Sequence, residues 1–114
     1  MNSAHLDRTL TALADPTRRG IVDLLRRKPL WPSEIAEKLS VSRPEMSRHL
    51  RVLRQAGLVS DEIHVGDARV RMYQLCPRPF VELQGWLDQV AGFWGDQLQS
   101  FKRYAEHKGS KVRS

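Results

Sequence analysis

The sequence predicts a mainly α (α+β) chain, and three observations carry that prediction. Residues 33–58, SEIAEKLSVSRPEMSRHLRVLRQAGL, read as two short helices joined by a tight polar turn. Two runs rich in β-branched and apolar residues, 58–64 and 70–76, follow at once and flank a glycine-containing turn. An aromatic, amphipathic segment then fills most of the remaining chain. Helix pair, hairpin and long helix make a winged helix-turn-helix with a two-stranded β wing and terminal dimerisation helices.

The helix pair rests on apolar spacing. Ile35, Ala36 and Leu39 form one helical stripe, and Met46, Leu50 and Leu53 form another with steps of four and three. Ser40-Val41-Ser42 is too short for anything but a sharp turn, with Val41 free to plug the angle between the helices. Ser42 followed three residues later by Glu45 is a capping-box pattern, and Pro44 suits a first helical turn. A residue before proline avoids the helical region, so Arg43 competes with Ser42 as the cap. Gly57 ends the helix spanning 43–56. With Met46, Leu50 and Leu53 turned inward, Arg43, Glu45, Ser47, Arg48, Arg51 and Arg54 face outward and His49 lies at the edge. Arginine grips guanine bidentately or clamps phosphate, and serine serves either purpose. A merely solvated charged face is the competing reading; the tight turn and the hairpin that follows weigh against it.

The hairpin spans 58–76. Gly66-Asp67 suits its turn because glycine tolerates positive φ. Directly after a recognition helix, such a hairpin is a wing. Arg69 near its tip can enter a minor groove or contact phosphate, and Arg71 can do so further along the strand. Tyr73 and Leu75 share a face and are expected to pack on the helices, while Asp61, Glu62 and Asp67 weaken the positive field of the wing.

These residues carry a family likeness. Through LADPTRRGIVDLL at 13–25, the helix pair, RHLRVLRQAGLV at 48–59 and the RVRMYQL strand at 69–75, the chain resembles ArsR-type winged helix-turn-helix transcriptional regulators over nearly its whole length. The resemblance implies a dimeric, sequence-specific protein that binds double-stranded DNA, most often a repressor of its own or a neighbouring operon. It places base-reading and phosphate contacts on Ser42, Arg43, Pro44, Ser47, Arg48 and His49, with wing contacts from Arg69 and Arg71; Arg51 joins them from the outward face of the helix. Two residues depart from the family pattern. Ser40 stands where a turn glycine is frequent, at a cost if that position is left-handed. Glu45 stands where a small residue is commoner; capping, accepting from a cytosine amino group and repelling phosphate are all open to it.

Length and charge agree. A chain of 114 residues makes about one domain with a modest core. A net charge of +6 suits a polyanionic partner. Basic residues gather at Arg18, Arg19, Arg26, Arg27 and Lys28, in the recognition helix and in 102–113, whereas 79–101 holds Glu82, Asp88 and Asp96 and no positive charge. That final segment therefore does not lie on DNA. Phe80, Leu83, Trp86, Leu87, Val90, Phe93, Trp94, Leu98, Phe101 and Tyr104 recur at steps of three and four, predicting a helix over 78–106 of about 40 Å. Its aromatic face exceeds what so small a core can cover, so the same helix of a second copy is expected against it, forming a homodimer. Leu6, Leu10 and Leu13 of the first helix complete the contact. Gly85, Gly92 and Gly95 each lower helix propensity by roughly 1 kcal/mol against alanine. Two uses for them stay open: close helix approach, or room for a ligand beside Trp86, Phe93 and Trp94. One domain, 1–106, with a disordered basic tail, 107–114, is the expected organisation, and a dimer implies half-sites about one helical turn apart.

No metal site and no cofactor are expected. PSEIAEKL at 32–39 lacks the cysteines that metal-sensing relatives carry there, the lone Cys76 cannot form a thiolate site within one chain, and Asp88 and Asp96 have no histidine at ligating spacing. The likeness is to family members without metal ligands; a small-molecule inducer stays open. With one cysteine, no apolar leader and no bilayer-length segment, a bacterial cytoplasmic, nucleoid-associated protein without a membrane partner is expected. Catalysis is not expected, since Ser47 and His49 diverge on a helix and no phosphate loop or paired acids are present. The remaining alternatives are a winged-helix protein-interaction module and a nonspecific DNA binder.

Overall fold

The computed structural model describes the backbone of residues 3–66 and 68–113, and the side chains of these except at 3, 63–65, 69, 70 and 108–113. Four helices come first: α1 (Ser3–Leu13), α2 (Pro16–Leu25), α3 (Pro32–Leu39) and α4 (Arg43–Gln55). Short strands β1 (Val59–Ser60), β2 (Ile63–Val65), β3 (Ala68–Val70) and β4 (Gln74–Leu75) follow, and α5 (Pro77–Arg113) ends the chain.

Local chemistry sets the helix starts. Asp15 caps α2 by accepting from the Thr17 and Arg18 backbone N–H groups at 2.8 and 3.1 Å, with Pro16 in the first turn. Trp31 precedes α3; its indole nitrogen only donates, so Glu34 reaches back to accept from the Trp31 N–H at 3.0 Å. The competition at α4 resolves in favour of Ser42, which has extended φ/ψ and accepts from the Glu45 N–H at 3.3 Å. Arg43 is helical despite preceding proline.

The turn between α3 and α4 is tight because Ser40 is left-handed, φ 53° and ψ 46°. Its N–H bonds Glu37 O, and the Val41 N–H bonds Ala36 O, closing α3. Val41 packs partly against the core, as its position between the helices requires. Gly20, within α2, permits a close approach: a Cβ there would lie 3.3 Å from Leu39 Cδ2 of α3.

The core joins Ala12, Ile21, Leu25, Leu30, Ile35, Ala36, Met46, Leu50, Leu53, Leu58, Val59 and Tyr73. Both apolar stripes of the helix pair are in it, and Leu75 packs beside it. Leu30 and Tyr73 exchange backbone hydrogen bonds at 3.1 and 2.8 Å, so the α2–α3 connection adds an edge to the strands.

The hairpin is two ladders rather than one. Val59 pairs with Leu75 and Ser60 with Gln74, then Ile63 with Val70, His64 with Arg69 and Val65 with Ala68. Between the ladders residues 61–62 face 71–73, one extra residue on the returning strand, which is a bulge. Gly66 has φ 64°, as the turn demands, and Asp67 lies outside the described residues.

Contacts divide the chain into two compact units, 1–83 and 84–114, where the sequence suggested one domain through 106. Helical backbone continues to Arg113, past the boundary expected at 106. Within the expected span, the Lys102–Glu106 pair at 4.0 Å is one i,i+4 support. At 100° per residue, the large apolar side chains from Leu83 to Phe101 fall within a sector of about 140°. Gly85, Gly92 and Gly95 fall on the opposite side of α5, and nothing lies within 4 Å of a Cβ added to any of them. On that placement the three glycines lie off the apolar stripe.

Candidate nucleic-acid interface

The second helix of the pair carries the site. Leu50, Met46 and Leu53, at most 3 % exposed, pin one side of α4 into the core. That leaves Ser42, Arg43, Pro44, Ser47, Arg48 and Arg51 exposed. Arg43, Ser47, Arg51, Pro44 and Arg48 succeed one another across about 140° of helix surface. Among the described residues, Arg43, Arg48 and Arg51 enter no ion pair or side-chain hydrogen bond, so their guanidinium groups have every donor available for an outside acceptor.

The other arginines near this face are engaged. Arg54 Nη1 and Arg71 Nη2 donate to the same oxygen, Asp61 Oδ2, at 2.9 and 2.8 Å. The bulge in the hairpin brings 71 opposite 61, and the end of α4 brings Arg54 beside them. The hydrogen bond from Arg71 holds the Asp61 carboxyl below the usual carboxylate range; partial burial opposes this, and the Arg54 donation and both positive charges add to it. Asp61 in turn raises Arg71 above its ordinary value. Arg71, expected on DNA, is thus held by an intramolecular partner. Arg69 is in β3, and its side chain lies outside the described residues.

His49 differs from the rest of the face. Its side chain is only 12 % exposed, with Nε2 3.6 Å from Glu45 Oε1. Its Nδ1 lies 3.3 Å from Arg18 Nη1. Glu45 therefore turns along the helix to His49 instead of completing a capping box with Ser42. At Asp15, desolvation raises the carboxyl, but the backbone donations of Arg18 and Thr17 and the electrostatic influence of His49 and Arg18 outweigh it, leaving the group below its ordinary value.

Two features were not anticipated from the sequence. Arg18 also donates Nε to Ala12 O at 2.6 Å and Nη2 to Thr11 O at 3.3 Å. Beside the arginine row, Trp31, Pro32, Ser33, Ala36, Arg43, Met46 and Ser47 line a hollow of about 300 Å³. Trp31, 43 % exposed, was the one signal for it: a large aromatic placed outside both helical stripes.

Of the apolar residues expected at a dimer contact, Leu10 is 40 % exposed, and Leu87, Phe93, Trp94, Leu98 and Phe101 lie between 48 and 69 %. Leu6, Leu83, Trp86 and Val90 are half-buried. Among the described residues, no three His, Cys, Asp or Glu side chains gather as a metal site, and no helix is long and apolar enough to cross a membrane.

Comparisons with known proteins converge. Residues 13–62 match the family model described as a helix-turn-helix domain. The chain is 43 % identical over 103 residues to the HTH-type transcriptional regulator Rv2034 of Mycobacterium tuberculosis, covering 90 % of this chain and 91 % of that one. Its fold matches the solved ArsR-like transcriptional regulator from Rhodococcus sp. RHA1 at TM-score 0.70 and 29 % identity, covering 93 % and 97 % of the two chains. It also matches, at TM-score 0.58 and 25 % identity over 78 % and 80 %, the homodimeric winged helix-turn-helix DNA-binding domain of Mb0332 from Mycobacterium bovis, titled a possible ArsR-family regulator.

Proposed function

Because this chain belongs to the ArsR family of winged helix-turn-helix transcriptional regulators, we propose that it is a homodimeric repressor that straddles a palindromic operator. The observation that carries this reading is the unpaired arginine row of α4. Arg43, Arg48 and Arg51, with Ser42, Pro44 and Ser47 between them, lie exposed along one face of a helix whose other side is locked in the core. Such a row fits a major groove, where arginine reads guanine and serine reads bases or holds phosphate. Arg69 at the wing supplies a minor-groove or phosphate contact. Occupation of a promoter excludes the polymerase, and the protein acts at the bacterial nucleoid in the cytoplasm. The family regulates transcription and is not a family of enzymes.

Two copies supply two reading helices. The apolar stripe of α5, Leu83, Trp86, Leu87, Val90, Phe93, Trp94, Leu98 and Phe101, is the main contact in this proposal, and Leu6 and Leu10 of α1 contribute to it. Support comes from the exposure of Leu10, Leu87, Phe93, Trp94, Leu98 and Phe101 in a single copy and from the homodimer of the M. bovis relative. An aromatic buries roughly 150–250 Å² when fully covered, so covering the 56 % of Trp94 that is exposed contributes about 3 kcal/mol per copy. Trp94→Ala therefore weakens the dimer at least a hundredfold in sedimentation equilibrium; an unchanged dimer constant removes α5 from the interface. Any inducer acts on this dimer, and release of DNA by candidate metals and metabolites tests for one.

The deciding experiment is binding of the purified protein to its own upstream region against random duplex. Discrimination is expected, with Arg48→Ala costing ~1–3 kcal/mol on the operator alone. Equal affinity for every duplex leaves a nonspecific DNA binder, and no affinity leaves a protein-interaction module.

A further inference from the structure

Arg18 joins two helices that the proposed function treats separately. It springs from α2, yet two of its nitrogens bind the carbonyl oxygens of Ala12 and Thr11, at the end of α1, at 2.6 and 3.3 Å. The last carbonyls of a helix have no partner within it, so a cation at Ala12 O meets an unmet need and a favourable dipole, while Thr11 O also accepts from the Ala14 N–H at 3.2 Å. The third nitrogen, Nη1, faces His49 Nδ1 of α4 at 3.3 Å. Arginine can only donate, so this contact is a hydrogen bond in the tautomer whose Nδ1 accepts, which carries its ring proton on Nε2, toward Glu45 at 3.6 Å. Asp15 anchors the base of this strap through its bond to the Arg18 backbone N–H at 3.1 Å.

His49 thus has a charged group at each ring nitrogen and little surface, with a side chain 12 % exposed. A base-reading side chain has the opposite character, as the neighbouring Arg48 does. We propose that His49 is a positioning residue rather than a base reader, and that Arg18 and His49 together fix the reading helix α4 to the end of α1. The strap sets the angle of the arginine row relative to the first helix, and through it the presentation of the row to a half-site. This inference rests on the reading of α4 as the DNA-contacting helix.

Full-length Arg18→Lys, His49→Ala and His49→Asn are compared with wild type and with Arg48→Ala for operator affinity, random-duplex affinity and base preference at each operator position. Asparagine places its amide oxygen close to where Nδ1 stood, so it can accept from Arg18. Arg18→Lys and His49→Ala are expected to lose operator affinity by about tenfold, the size of one charge-assisted hydrogen bond. Their random-duplex affinity should change little, and His49→Asn should recover most of the loss. The preference profile should stay the same in every strap variant, whereas Arg48→Ala flattens it at one position per half-site. The Arg18→Lys/His49→Ala double variant should be no worse than either single one, since both break the same strap. A loss confined to one operator position in His49→Ala, or no recovery in a folded His49→Asn, overturns the proposal. Failure of the wild type to discriminate the operator would overturn the functional reading instead, so the two failures are distinguishable. Thermal unfolding of each variant identifies loss of fold, and the Asn variant keeps the test decisive if Arg18→Lys does not fold.

Discussion

Asp61 holds two arginines that would otherwise face a polyanion, and removing it should strengthen DNA binding in a way salt can measure. In the structure a single oxygen, Oδ2, accepts from Arg54 at 2.9 Å and from Arg71 at 2.8 Å. Arg54 and Arg71 are 44 and 77 % exposed, so neither needs the pair to stay in water. Asp61→Ala releases both guanidinium groups. Each that takes up a phosphate steepens the slope of log affinity against log salt by about 0.9. If both do so, the slope steepens by about 1.8, and the gain over wild type shrinks about twelvefold between 50 and 200 mM salt. Fluorescence anisotropy on one operator duplex across that range measures it directly, with Asp61→Glu, which keeps the charge, as the control. A ratio of variant to wild-type affinity that does not vary with salt would refute the placement of Arg54 and Arg71 beside the DNA. The clamp is not a pH device near neutrality: Arg71 keeps the Asp61 carboxyl ionised to below the ordinary carboxylate range, so it opens only in acid.

Ser40→Gly should stabilise the protein by about 0.5–1 kcal/mol, because φ 53° costs a side chain what it does not cost glycine; an unchanged or lower melting temperature would count against strain at this turn. Gly92→Ala should raise the stability of α5 by up to about 1 kcal/mol, read as helicity and melting temperature, while the dimer constant stays fixed. Nothing lies within 4 Å of the added Cβ, so a weakened dimer would place Gly92 in the interface after all. Asp15 is depressed below its ordinary 3.8, so its contribution to stability is complete above that value and is lost as pH falls through the lower folded one. Asp15→Asn retains a capping oxygen but should flatten this acid-side fall in urea midpoint between pH 5 and 2.5; an identical fall in the variant would exclude Asp15 as a source.

Local pattern was enough for the parts of the fold that local forces decide. Met46, Leu50 and Leu53 announce the buried side of α4 by spacing alone, and all three are in the core. Ser42 competes with Arg43 for the cap in the sequence and takes it in the structure, and the family's frequent turn glycine at the position of Ser40 flags a left-handed conformation there. Other features were illegible because they depend on distance along the chain. Leu30 bonds Tyr73 across 43 residues of sequence, and no local signal in 29–31 marks an edge strand. Gly20 reads as a mild defect in a helix until Leu39 is seen 3.3 Å from its missing Cβ.

The same limit governs the candidate site. From sequence, Arg43, Arg48, Arg51, Arg54 and Arg71 are equivalent cations, and His49 is a plausible addition to them. Helical spacing even puts Arg54 on the same face as Arg43. Partners break the equivalence: a one-residue bulge brings Arg71 to Asp61, and the end of α4 brings Arg54 to the same carboxylate. Arg18, thirty-one residues from His49 in sequence, then takes the histidine out of the row. A net charge of +6 is therefore a poor guide to how many phosphates the protein neutralises. The salt slope should instead track the arginines with no carboxylate in reach, and each acidic partner removed should add to it one cation at a time.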